Sequence, residues 1–269
     1  DLLGPSLDKF FKLCDKKFNL ETTANLGIQM VNRIEFVHSH NILHRDIKPN
    51  NFLLGKFNKN FDDSNILYIV DFGLSKEYIE PTTGEHYEYK EDKRFVGTPR
   101  YASINTHMGI RQSRRDDLQS IAYVLIYFLK GELPWQGIKA KTKSERKEKI
   151  KNKKVSTDID ELCTDIPKEF GEFFMYTKQL KFEEKPDYDH IVEILSSIKD
   201  KYKFTNIPKY VKWDWNEIFL KARERNCSLA TFSSLKKKYE KLYEGYSIPS
   251  FENYLNYIAS IKNEESKMN

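Results

Sequence analysis

The chain carries one stretch dense in chemically active side chains, His44-Arg45-Asp46-Ile47-Lys48-Pro49-Asn50-Asn51, and 25 residues after Asp46 it reads Asp71-Phe72-Gly73. Two short apolar runs, 52–54 and 67–70, lie between these segments, and the second is rich in β-branched and aromatic residues. Each run is too short for a helix, so we expect a β-hairpin whose strands are joined by the polar segment 56–65. The pairing of these strands would bring Asn51 and Asp71 to the same edge.

The first segment resembles the catalytic loop of protein kinases, in which an Asp is followed five residues later by an Asn, and the second resembles their metal-binding Asp-Phe-Gly turn. A lone Asp-Phe-Gly is weak evidence for a kinase, but the two segments together, in this order around a hairpin, are specific evidence for one. The resemblance implies that Asp46 orients or accepts the proton of a substrate hydroxyl and that Lys48 reaches the transferred phosphate. Asn51 and Asp71 would hold Mg²⁺, which prefers oxygen ligands, beside bound ATP.

Later segments are similar to the casein kinase I family in particular. Residues 103–105 read Ser-Ile-Asn where most kinases have Ala-Pro-Glu, and further similar segments lie at 112–118, 133–140, 182–188 and 213–216. Residues 2–7 resemble the hinge and first helix of that family. The resemblance implies a mainly α fold, the large C-terminal lobe of a kinase with a short β-hairpin carrying the catalytic loop, over residues 1–218. Residues 219–269 would form a helical C-terminal extension.

The same resemblance implies roles for residues outside the two motifs. Leu3 would lie at the hinge that hydrogen-bonds adenine, and Leu53 and Val70 would floor the adenine pocket. Asp117 would be the buried Asp that braces the backbone of the catalytic loop.

Casein kinase I enzymes favour a Ser or Thr that follows a phosphorylated or acidic residue, and their anion site maps onto Arg100, Gly137 and Arg146, with Lys93 nearby. Arg146 stands where Lys is usual, which keeps the charge and changes the donor geometry. The leading hypothesis is transfer of the γ-phosphate of ATP, with Mg²⁺, to Ser or Thr of acidic or phosphate-primed proteins.

The 269 residues contain no Gly-rich phosphate loop, no Val-Ala-Ile-Lys-type strand and no helix with its partner Glu, elements that precede the hinge in a complete kinase. We therefore expect these residues alone to show no appreciable kinase activity. Two interpretations stay open: part of a longer, active enzyme, or a scaffold built on a kinase lobe within a large assembly. Retention of all four motif residues favours the enzyme, because a scaffold has no chemical need for them.

Composition excludes several other classes of protein. Hydrophobic residues are 39% and charged residues 32% of the chain, as in globular proteins with a core. No apolar run is long enough to predict a membrane span. Three scattered cysteines, Cys14, Cys163 and Cys227, argue against a disulfide framework or a zinc site. Reduced thiols favour a cytoplasmic location, with the nucleus or the cytoskeleton as alternatives.

The net charge of +5 is concentrated in residues 139–154, which hold nine Lys or Arg against two Glu. Such a run is usually a solvated helix face, and the alternative is a docking patch for acidic or phosphorylated protein, or for nucleic acid. Because the run lacks interleaved aromatic residues, nucleic acid is disfavoured, and the resemblance already assigns part of the run to the anion site.

Apolar periodicity and punctuation predict the remaining elements. Helices are expected within 6–37 and at 118–129, 144–152, 168–181 and 188–203, with a long loop over 71–115. Beyond residue 218, two apolar stripes either pack back on the lobe or bind an anchoring partner, and the first is favoured. The stripes are Leu229, Phe232, Leu235, Tyr239 and Leu242, and then Phe251, Tyr254, Leu255 and Ile258.

Overall fold

The structure is a computed structural model that describes residues 3–55, 64–204, 213–224, 227–246 and 249–268, with side chains up to residue 260. The segment predicted to connect the two strands of the hairpin, 56–65, lies outside the described residues except at its end. None of the described helices is both long and apolar enough to cross a lipid bilayer.

Helices make up most of the described chain, and the predicted mainly α fold with a short hairpin is confirmed. The helices are α1 (Leu7–Leu13), α2 (Leu20–Ser39), α3 (Ile104–His107), α4 (Arg114–Lys130), α5 (Lys143–Ser156), α6 (Ile159–Leu162), α7 (Lys168–Gln179), α8 (Tyr188–Lys201), α9 (Asp214–Leu220), α10 (Leu229–Leu242) and α11 (Phe251–Met268). The strands are β1 (Ile42–Leu43), β2 (Phe52–Leu54), β3 (Leu67–Ile69) and β4 (Lys76–Glu77).

The predicted hairpin is formed by β2 and β3, which pair antiparallel with Phe52 opposite Ile69 and Leu54 opposite Leu67. A second antiparallel pair joins β1 to β4, on either side of the hairpin in sequence. The expectation of a long loop over 71–115 was therefore wrong in part, because β4, the short helix α3 and the start of α4 lie within it. Together the two strand pairs hold both ends of the segment 44–51.

The core is built around α2 and α4, with α7 and α8 packed beside them. Helix α2 begins at a cap, since the Asn19 side chain accepts a hydrogen bond from the Thr22 backbone N–H at 2.8 Å. A Cβ atom at Gly27 would lie 2.8 Å from Leu125 Cδ1, so the absence of a side chain allows α2 and α4 to approach closely. Helix α4 is buried from Asp116 to Leu129, as its all-round apolar sequence predicted.

The C-terminal helices pack back on the rest of the molecule. Phe10 of α1 contacts Trp215 of α9 with ring centroids 4.4 Å apart and the Tyr243 ring at 6.3 Å, while the Tyr254 hydroxyl donates to Asn216 Oδ1 at 2.7 Å. The second predicted stripe, which includes Phe251, is fully buried. This packing is the arrangement favoured from sequence, so an anchoring partner for these helices stays a prediction.

The prediction that the whole first stripe is buried was partly wrong. Leu229 is 87% exposed because it begins α10, whose contacts start further along the helix, and Phe232 is only partly buried. Leu235, Tyr239 and Leu242 are buried as expected. The predicted division at 218/219 falls inside α9 and stays a prediction.

Candidate active site

The backbone of the segment 44–51 is held by one buried carboxylate, that of Asp117 near the start of α4. The two oxygens of Asp117 accept the backbone N–H groups of His44 and Arg45, each at 2.8 Å. Arg45 has a left-handed backbone, with φ of 65°, a conformation that costs energy in a non-glycine residue. Asp117 therefore fixes the peptide units immediately before Asp46.

A histidine and a tyrosine extend this network into the core. His38 Nε2 donates to Asp117 Oδ2 at 3.0 Å, which leaves Nδ1 to accept the Tyr188 hydroxyl at 2.7 Å. Burial lowers the pKa of His38 although Asp117 favours its charged form. Burial also opposes ionisation of Asp117, but the hydrogen bonds from His38 and the Arg45 backbone outweigh burial and hold the pKa of Asp117 below its ordinary value.

The carboxylate of Asp46 is the centre of the site. It forms an ion pair with the Lys48 ammonium, and Asp46 Oδ1 accepts the Thr98 hydroxyl at 2.7 Å. The Asn51 side-chain amide donates to the Asp46 carbonyl at 2.9 Å. Asp46 is only 6% exposed, so these interactions act in a partly desolvated environment where they are stronger than in water.

The hairpin joins this cluster to Asp71. The Val70 backbone N–H donates to the Asn51 carbonyl at 3.0 Å, which places the residues that precede Asp71 beside Asn51. Asp71 has a left-handed backbone with φ of 66°, and its side chain is exposed. The predicted approach of Asn51 and Asp71 at one edge of the hairpin is confirmed.

The residues expected to bind the nucleotide come from three segments: Leu53 from β2, Val70 from just after β3, and Leu3 from the segment before α1. The segment after Leu3 runs antiparallel to β2, with the Gly4 N–H donating to the Leu54 carbonyl at 2.8 Å. Leu3, Leu53 and Val70 are all partly buried. Next to them Phe72 is 44% exposed, with its ring 5.2 Å from that of His44. The three apolar residues therefore lie on or beside the hairpin, and their contact with adenine stays a prediction.

A family model described as the protein kinase domain matches residues 4–197 of this chain. The chain belongs to the protein kinase family. Kinase activity and protein substrates are supported by that membership, and the family in general uses ATP and Mg²⁺. The matched region of this kinase contains the Asp46 cluster, the hairpin and Asp117, and ends before the segment 213–216.

The residues expected to bind anions fall into two groups in this kinase. Arg100 and Arg146 line one cavity of about 500 Å³, which also contains Lys48 and Thr98 from the Asp46 cluster. Gly137 is exposed and follows Gln136, a residue of the same lining. Lys93 instead lines a separate cavity of about 300 Å³, so the structure does not group it with the other three.

Two contacts of the kinase site were missed from sequence. Thr98 bonds Asp46 across 52 residues, and the only local signal was the adjacent Gly97, whose φ of 110° few other residues adopt. Tyr188 bonds His38 across 150 residues and has no signal in sequence. Within the described ranges, no three His, Cys, Asp or Glu side chains cluster as a metal site.

Proposed function

We propose that this kinase transfers the γ-phosphate of ATP to Ser or Thr of acidic or phosphate-primed proteins, in the manner of casein kinase I. The observation that carries the proposal is the convergence of Asp46, Lys48 and Asn51 beside Asp71 at one edge of the hairpin. This set supplies the groups that phosphoryl transfer needs: a proton acceptor, a cation for the phosphate and oxygen ligands for a metal.

Asp46 is the group that orients the substrate hydroxyl and receives its proton. The Thr98 hydroxyl and the Lys48 ammonium hold its carboxylate, so one geometry is prepared before the substrate binds. Lys48 also lies where it can neutralise charge on the transferred phosphate. A Ser or Thr hydroxyl is the proposed acceptor, by the resemblance to casein kinase I. Lys48 and Thr98, which contact Asp46, line the same cavity as Arg100.

Asn51 and Asp71 are the proposed residues for Mg²⁺. Asn51 donates its amide nitrogen to the Asp46 carbonyl, which directs the side-chain oxygen to other partners, and the exposed Asp71 adds carboxylate oxygens. Mg²⁺ needs few protein ligands, because it commonly keeps several waters and also binds substrate phosphates. When bound, the ion would neutralise charge on the phosphates of ATP.

Leu3, Leu53 and Val70 are proposed to contact adenine. All three are apolar and partly buried, and they lie on or beside the hairpin. Nucleotide pockets combine such apolar surface with a few backbone hydrogen-bonding groups, and the segment at Leu3 is the proposed source of these groups.

Arg100, Gly137 and Arg146 are proposed to bind the phosphate or carboxylate that precedes the acceptor in the substrate. Arg100 and Arg146 share their cavity with Lys143 and Lys147, and also with Asp8. Guanidinium groups bind phosphate through charge-assisted hydrogen bonds. Lys93, in the neighbouring cavity, would contact a second acidic position of the same substrate.

The test measures transfer of the γ-phosphate to a Ser peptide by the protein translated from its complete gene. Asp46→Asn is expected to reduce the rate about a hundredfold to ten-thousandfold, the usual contribution of a general base. Asp71→Asn is expected to raise the Mg²⁺ concentration needed for half-maximal rate. Asp189→Asn, an exposed position on α8, is the matched control and is expected to leave both values unchanged.

The substrate class is tested with three peptides that differ only upstream of the Ser: neutral, acidic and phosphoserine-containing. Arg100→Ala is expected to reduce the rate with the phosphorylated peptide more than with the neutral one. Equal losses on all three peptides would contradict anion binding by Arg100. Wild-type transfer no faster than that of Asp46→Asn would instead favour the scaffold interpretation.

A further inference from the structure

Three side chains hydrogen-bond three of the four carbonyl groups of the segment 99–102. His107 Nε2 donates to the Pro99 carbonyl at 3.1 Å, Trp135 Nε1 donates to the Arg100 carbonyl at 2.7 Å, and Lys154 Nζ donates to the Ala102 carbonyl. We call His107, Trp135 and Lys154 the carbonyl clamp.

The members of the carbonyl clamp come from separate parts of the fold. His107 ends α3, Trp135 lies in the connection between α4 and α5, and Lys154 lies in the last turn of α5. Among the described residues no strand pairs with the segment they bind, which lies in a turn. Its position is therefore set by side chains from three directions, and loss of one donor would leave a carbonyl without its partner, buried at Ala102 and part-buried at Pro99 and Arg100.

Lys154 is the least expected member. It is 2% exposed, and among the described carboxylates none forms an ion pair with it, although buried charges are normally paired. Its nitrogen lies 4.6 Å from the centre of the Tyr123 ring and 4.9 Å from that of Trp135. Complete burial of an amine costs free energy, and the hydrogen bond that Lys154 donates to the Ala102 carbonyl offsets part of that cost.

His107 is suited to the same task. Burial, together with the nearby Lys154, lowers the pKa of His107 to about 4, so its ring is neutral at physiological pH. A neutral imidazole has one N–H, and here that N–H is the one donated to Pro99.

The clamped segment connects the two functional parts of the cavity. Thr98, immediately before it, donates to Asp46. Arg100, inside it, has its guanidinium 5.7 Å from the Tyr101 ring centre and 5.5 Å from that of Tyr127. A shift of this backbone would therefore move the Arg100 guanidinium relative to Arg146, which belongs to another element.

We propose that the carbonyl clamp determines substrate preference: His107, Trp135 and Lys154 are positioning residues that hold the Arg100 guanidinium where it can bind the substrate's phosphate together with Arg146. This inference rests on the proposed function, since it assumes that Arg100 binds an anion. It adds three residues that act through the backbone on either side of Arg100; Trp135 also lines the cavity that holds Arg100 and Arg146.

The test measures binding, so it does not depend on turnover. Fluorescence anisotropy gives the Kd of a labelled Ser peptide and of its phosphoserine-primed form, and the preference is the ratio of the two values. Trp135→Phe removes the indole N–H and keeps an aromatic ring. Lys154→Met removes the amine and keeps the side-chain length. Each is expected to lower the preference about threefold to tenfold, the equivalent of roughly one hydrogen bond.

The chain offers a matched control for each variant. Trp213→Phe removes another buried indole bond, made to Asn65 Oδ1 at 2.7 Å, beside the hairpin. Lys130→Met removes another lysine that donates to backbone carbonyls, including Leu162 at 3.2 Å. Both controls are expected to lower the urea midpoint and to leave the preference unchanged, which separates positioning from general stability.

The outcomes distinguish this inference from the function on which it rests. If Arg100→Ala abolishes the preference while Trp135→Phe and Lys154→Met keep it, the carbonyl clamp is overturned and anion binding by Arg100 stands. If the wild type shows no preference, or if Arg100→Ala does not change the preference, both anion binding by Arg100 and the carbonyl clamp are overturned. If the controls lower the preference as much as the clamp variants, the effect is one of stability and the clamp is overturned.

Discussion

Replacement of Asp117 by Ala tests how the catalytic loop is held. The carboxylate accepts two backbone N–H groups and the Nε2–H of His38; the contacts with His44 and His38 are buried and that with Arg45 is part-buried. A buried donor left without an acceptor costs about 1–3 kcal/mol. Because the site relaxes in part and such costs are not additive, three donors give roughly 3–6 kcal/mol. That is a large fraction of a typical stability of about 5–15 kcal/mol.

The free energy of unfolding is measured by urea titration with far-ultraviolet circular dichroism and tryptophan fluorescence. Asp158→Ala is the reference, since Asp158 caps α6 through one bond to the Asp160 N–H at 2.8 Å and its loss is expected to cost about 1 kcal/mol. If Asp117→Ala costs no more than Asp158→Ala, the proposed bracing is wrong. Should Asp117→Ala fail to fold, Asp117→Asn, which keeps one acceptor oxygen and loses the other, is expected to fold and still to cost more than the reference.

The pH dependence of this contribution has a defined sign. The pKa of Asp117 is below its ordinary value of 3.8 in the folded protein. The stabilisation is therefore fully present above about pH 3.8 and is lost as the pH falls through the folded-state pKa. The difference between wild type and Asp117→Ala should be constant from pH 5 to pH 7, and a difference that shrinks within that range would refute the assignment.

Three further predictions concern other parts of the molecule. Gly97→Ala is expected to slow phosphoryl transfer and to cost about 1–3 kcal/mol in urea unfolding, because φ is 110° and a Cβ would lie 2.6 Å from the Arg45 carbonyl oxygen. Phe251→Ala is expected to cost about 3–5 kcal/mol in the same assay, since the ring is buried by α9 and α10; a cost below 1 kcal/mol would mean that α11 does not pack there. For His107, the pKa is about 4 when folded against 6.5 as the ordinary value, so the unfolded state binds more protons between these values. Stability should fall as the pH is lowered from 6.5 towards 4, by at most about 1.4 kcal/mol per pH unit, and His107→Gln should reduce that slope.

The sequence predicted those parts of the site whose residues are close in sequence or joined by a short hairpin. Asp46, Lys48 and Asn51 lie within the short segment 46–51. Strand pairing of 52–54 with 67–69 brings Asp71 close to this segment. Helical periodicity likewise predicted α4, α7 and α8 within a few residues of their ends. Leu229 was misplaced, because periodicity shows which face of a helix is apolar and does not show where along its length a neighbour begins.

The amino-acid sequence by itself determined the family, the mainly α architecture and the residues of the two motifs, since each depends on local order along the chain. Only the tertiary structure decided which distant groups meet them: Thr98 with Asp46, Tyr188 with His38, and the carbonyl clamp with the segment 99–102. It also separated Lys93 from Arg100. The physical reason is that these contacts are made by single hydrogen bonds between elements whose relative positions are set by helix packing, which leaves no period or spacing in the sequence.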